Sequence, residues 1–135
     1  MKTKAVLTAQ DVQAILAAAG KHAVEHQWPV TISVVDDGGH MLGLVRMDGA
    51  APISAQISTA KARTAALGRR ESKGYEEMIN QGRHSFLSAP GLEGMLEGGV
   101  PVVVNNDVVG AVGVSGVKSI EDAEIARAGI AALNL

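Results

Sequence analysis

The chain has 135 residues, with 12 Lys and Arg against 14 Asp and Glu, a formal net charge of −2 and no cysteine. That length bounds a single domain, residues 1–135, with a core large enough to need no covalent staple, and the charge balance offers no basic field to nucleic acid. The missing thiols exclude disulfides, thiolate metal centres and cysteine nucleophiles, and no run approaches the ~20 apolar residues of a membrane span.

The opening Met1-Lys2-Thr3-Lys4 is basic, but Thr8, Gln10 and Asp11 interrupt any apolar signal core, so a cytoplasmic chain is expected. Thr8 and Asp11 read as an N-cap and its capping-box partner, opening a helix to about His26 with Val12, Ile15, Leu16, Ala19 and Ala23 as its apolar stripe. Pro29 ends it. The β-branched run Val30 to Val35, the turn cluster Asp36-Asp37-Gly38-Gly39 and the run His40 to Met47 predict a first hairpin.

Pro52 suits the first turn of a second helix ending near Gly68, with Ile53, Ile57, Ala60, Thr64 and Leu67 as its apolar face and Ser54, Ser58, Lys61 and Ala65 beside them. A short third helix is expected from Tyr75 to Gln81. Arg83 to Gly98 is punctuated by glycine and reads as loop with short pieces, long enough to suggest function. Pro101 to Val104 and Val108 to Val114, joined through Asn105-Asn106-Asp107, predict a second hairpin whose last strand alternates Val112 and Val114 with Gly113 and Ser115. One face of that strand is bare. Ser119 and Asp122 then read as the capping box of a terminal helix that buries Ile125, Ala128 and Ala132. Hairpins interleaved with helices define an α+β fold, a mostly antiparallel sheet covered by helices.

Only His, Met or Tyr remain as soft or imidazole donors for iron. His22 and His26, four residues apart, share one face of the first helix, the spacing of helical metal sites, although a histidine in a last turn also complements the helix dipole. His40 and His84 have no companion carboxylate at a telling distance, and the five methionines read as core fillers. Arg46, Asp48, Ser54 and Lys61 form a polar constellation around the second helix start. A guanidinium and an ammonium there would hold a carboxylate, or Arg46 and Asp48 would simply pair with each other. Gly113, Ser115 and Gly116 either wall a concavity for a flat or anionic ligand or admit the second helix at close range. Glu121 and Glu124, at the start of the last helix, could move a proton only if desolvated. Alanine-rich helices and only three aromatics (Trp28, Tyr75, Phe86) favour close packing, including packing against a like subunit, so a homo-oligomer is expected.

The units VVDDGGHMLGLVRMDGA, KARTA, GVPVVVNNDVVGAVGVSG and EDAEIARAG occur in this order along nearly the whole chain. In this the sequence resembles the GlcG/HbpS family of haem-binding or haem-degrading-like proteins, which includes the C-terminal domain of PduO-type proteins. The resemblance implies helices on both faces of the sheet in an α-β-α arrangement, a homo-oligomer, and haem or a related tetrapyrrole as ligand. Two other readings stand beside it: a cytoplasmic accessory enzyme acting on a small carboxylate, and an oligomeric scaffold without a ligand.

Overall fold

A computed structural model describes residues 1–135. Helix α1 (Ala9–Glu25) precedes the hairpin β1 (Thr31–Asp36) and β2 (Met41–Arg46); α2 (Ile53–Gly68) and α3 (Lys73–Asn80) follow. A 3-10 turn at His84–Ser88, the hairpin β3 (Gly99–Val104) and β4 (Asp107–Ser115), and α4 (Ser119–Ala131) complete the chain. The four strands form one antiparallel sheet in the order β2-β1-β4-β3.

The local signals act as their chemistry requires. Thr8 and Asp11 close the capping box of α1 reciprocally. Asn105 and Asn106 both adopt positive φ (51° and 65°), the geometry of a two-residue hairpin turn.

The sheet is covered on both faces, which makes the fold α+β in three layers. Ile32, Val34, Val112 and Val114 point to one side and form the main core with Val12, Ile15 and Ala19 of α1 and Ile125 of α4. The two helices meet closely: a Cβ on Gly129 would come within 2.9 Å of the Ile15 carbonyl oxygen. On the opposite side lie Thr31, Ser33, Val35, Ala111, Gly113 and Ser115, under α2.

Two helical faces differ from expectation. The apolar stripe proposed for α2 only borders its buried face: Ile53 and Leu67 are exposed, Ile57 and Ala60 half-buried and Thr64 buried, whereas Ser54, Ser58, Lys61, Ala62 and Ala65 form the face that meets the sheet. The reason lies in the sheet beneath. Thr31 and Ser33 present hydroxyls that meet Ser54 (2.7 Å) and Ser58 (2.8 Å), so a helix face of small and hydroxyl side chains satisfies them where branched aliphatics would not. In α4, Ser119 is the first helical residue, and Glu121 accepts from the Lys118 N–H. Asp122 has turned inward.

Strand β2 is an edge, and it is apolar: Met41, Leu42, Leu44 and Val45 are each two-fifths or more exposed. No helix of the structure is long and apolar enough to cross a membrane.

Candidate functional site

The proposed site residues fall into three places. Lys61 and Asp122 are inside the protein, 3% and 2% exposed, with Lys61 Nζ 2.9 Å from Asp122 Oδ2 and donating also to the Val114 carbonyl oxygen at 3.0 Å. Asp122 Oδ1 accepts from the Val117 N–H at 3.2 Å. Burial pushes the Asp122 carboxyl above its usual range, against the downward pull of Lys61. The Lys61 ammonium is thus neutralised within the fold, and the expected partnership of Arg46 and Lys61 about one anion gives way to a tie between α2 and α4.

Gly113 is also consumed by packing. A Cβ there would stand 2.0 Å from the Ser58 carbonyl oxygen and 2.5 Å from Ala62 N, so the glycine admits α2 against the strand and leaves no room for a ligand. Ser54 and Ser115 are buried, and Ser54 is spent on Thr31. Gly116 is exposed with φ 147°, and its Cα faces the Pro29 carbonyl too closely for a side chain.

Arg46 and Asp48 stand exposed, and no salt bridge joins them to each other or to another residue. Glu121 serves the start of α4.

The third place is the junction of α1 and α4, where His22, His26 and Glu124 converge. His22 Nε2 lies 2.8 Å from Glu124 Oε2, and one ligand atom from each of the three residues lies within 4.8 Å of the others. His22 is half-buried, and His26 caps the helix and is exposed. Its ring stacks on Trp28 at 4.4 Å and 24° and packs beside His22, with centroids 4.3 Å apart. Residue chemistry settles the tautomer. His26 Nδ1 is 2.8 Å from the His22 carbonyl oxygen, which can only accept, so Nδ1 carries a proton and the lone pair of the neutral ring is on Nε2. Glu124 and Trp28 are the members that sequence reasoning missed as companions of the histidines; Trp28, two residues past His26, was the available signal.

A separate groove of about 690 Å³ runs between the outer face of α2 and the segment 91–96, with Ile57, Arg63 and Glu93 among its walls. Its far side belongs to the glycine-punctuated stretch expected to matter, but no His, Met or Tyr lines it.

An antiparallel sheet between α2 and the α1–α4 pair, with a histidine–carboxylate cluster at one helix junction, defines the class: a small three-layered α+β protein with an imidazole donor open to solvent. Residues 7–131 match the model of the HbpS-like family, described as "Haem degrading protein HbpS-like". The chain belongs to this family. It is similar to protein GlcG of Escherichia coli K12, 61% identical over 115 residues that cover 85% of each chain. Among solved structures it resembles a double mutant of HbpS from Streptomyces reticuli, with TM-score 0.89 and 30% identity over 98% of this chain and 90% of that one. It also resembles the complex of PduOC with haem, with TM-score 0.86, 27% identity and 96% of each chain covered.

Proposed function

We propose that this protein binds haem or a related tetrapyrrole, with His26 Nε2 as the protein donor to the metal. The observation that carries the reading is the free lone pair on an imidazole whose other nitrogen is held by a backbone carbonyl, the arrangement that orients a metal-ligating histidine. Trp28 stacks on the ring, and the His22 ring packs beside it at a tilt. The family description and the haem complex of PduOC support the choice of ligand. Bound there, haem would supply an iron centre, and His26 would contribute an imidazole donor and its orientation.

The small-carboxylate reading loses Lys61 to Asp122 and would rest on Arg46 alone. The protein works as an assembly of like subunits in this proposal, because the edge strand β2 leaves four large apolar residues uncovered. Leu44→Asp should then shift the sedimenting species toward monomer, while an unchanged distribution would remove β2 from the interface.

Titration of the apo protein with hemin should give a saturable Soret shift with quenching of Trp28, the single tryptophan. His26→Ala should lose at least tenfold in affinity. A non-saturating response, or full affinity in the variant, would refute the assignment.

A further inference from the structure

We infer that His22, His26 and Glu124 form a three-ligand site for a bare divalent transition-metal ion such as zinc or nickel, separate in chemistry from porphyrin binding. The donors come from two helices whose spacing is set by backbone contact, since Gly129 of α4 sits against the Ile15 carbonyl and Ala19 of α1. The cross-helix reach from Glu124 to His22 is therefore a property of the packing, and the i,i+4 spacing brings His26 to the same face.

A tetrahedral ion with bonds of about 2.1 Å needs donors ~3.4 Å apart. The three donor atoms already lie within 4.8 Å, and the closest two at 2.8 Å. Opening the His22–Glu124 hydrogen bond slightly and turning the exposed His26 inward is enough. Two imidazoles and one carboxylate are a borderline donor set that suits zinc or nickel and discriminates against calcium and magnesium, which prefer oxygen alone. The half-exposed position leaves the remaining coordination place to water. Glu124 separates this site from the haem reading: a bare ion needs the carboxylate as its third ligand, whereas an axial imidazole does not.

The experiment uses the untagged protein. Zinc is titrated by calorimetry and nickel by quenching of Trp28, whose ring stacks on His26. Saturable binding of both ions is expected. Glu124→Gln, which keeps an acceptor for His22, should weaken it at least tenfold, and His22→Ala or His26→Ala should abolish it with far-ultraviolet dichroism unchanged. Absence of saturable binding in the parent protein, or parental affinity in Glu124→Gln, would overturn the site. Hemin titration of Glu124→Gln is the separating control. Retained hemin affinity with lost zinc affinity supports two chemistries at one cluster, and equal loss of both would refute their separation. Zinc binding without hemin binding in the parent protein would reject the haem proposal alone.

Discussion

Asp122 and Glu124 stand two residues apart on α4, about 200° around the helix from each other, and each carboxylate meets a basic side chain from another helix. Asp122 meets Lys61 where water is excluded; Glu124 meets His22 at the surface. The same residue chemistry therefore does different work. A buried pair holds two layers in register and cannot be opened without leaving a charge stranded, whereas an exposed pair can exchange its hydrogen bond for a ligand at little cost.

The largest effect should come from breaking the buried pair on one side. Lys61→Met removes the cation and leaves Asp122 unpaired, for a loss of about 3–5 kcal/mol in denaturant unfolding. Combining it with Asp122→Leu removes both charges and should recover most of that loss. If the double variant is as unstable as the single one, the pair is not the source of the effect, and the lost bonds to Val114 and Val117 are.

Gly113→Ala tests the close approach of α2 to the same strand that Lys61 reaches. The added methyl meets backbone atoms of Ser58 and Ala62, which cannot rotate away, so a loss at the upper end of about 1–3 kcal/mol is expected, read from the same unfolding curves. A neutral result would mean that α2 can lift from the sheet, and the hydroxyl contacts of Ser54 and Ser58 would then be dispensable.

These two positions also show what was legible in advance. Val112 and Val114 against Gly113 and Ser115 announced a strand with one bare face, and the three-layered fold followed from the hairpins and the family resemblance. The helix that covers that face was harder to orient. Periodicity favours burying Ile53, Ile57 and Leu67, but which side of α2 turns inward depends on Thr31 and Ser33, twenty or more residues away, and local pattern does not carry that pairing. Asp122 misled for a related reason. Three residues after Ser119 it looks like a cap, and only the fold brings Lys61 to it. The histidine pair was visible because an i,i+4 spacing is local. Glu124 reached it through tertiary packing alone.

The exposed cluster should respond in the opposite way. His26→Ala removes an exposed ring at the end of α1, so stability should move by no more than about 0.5 kcal/mol while metal and hemin binding fall. A large loss of stability would show that the stack of His22, His26 and Trp28 holds the chain after α1 in place, and the cluster would then resemble the buried pair more than it differs from it.

The smallest expected effect concerns acid, and it sharpens the contrast through a third aspartate. Asp11 lies at the start of α1, where the Thr8 N–H and the Thr8 hydroxyl donate to its carboxylate and hold it below the ordinary value of 3.8. A carboxyl lowered by folding binds its proton more weakly in the folded chain, so its contribution is present above 3.8 and is lost as pH falls through the lowered value. Asp122, raised by burial, contributes with the opposite sign: between 3.8 and its raised value the folded state holds the extra proton, and stability falls as pH rises. Asp11→Asn should therefore flatten the acid limb of a melting-temperature profile slightly and leave its neutral region almost unchanged. If the variant instead steepens that limb, the capping box does not govern the titration of Asp11, and the sign assigned to it is wrong.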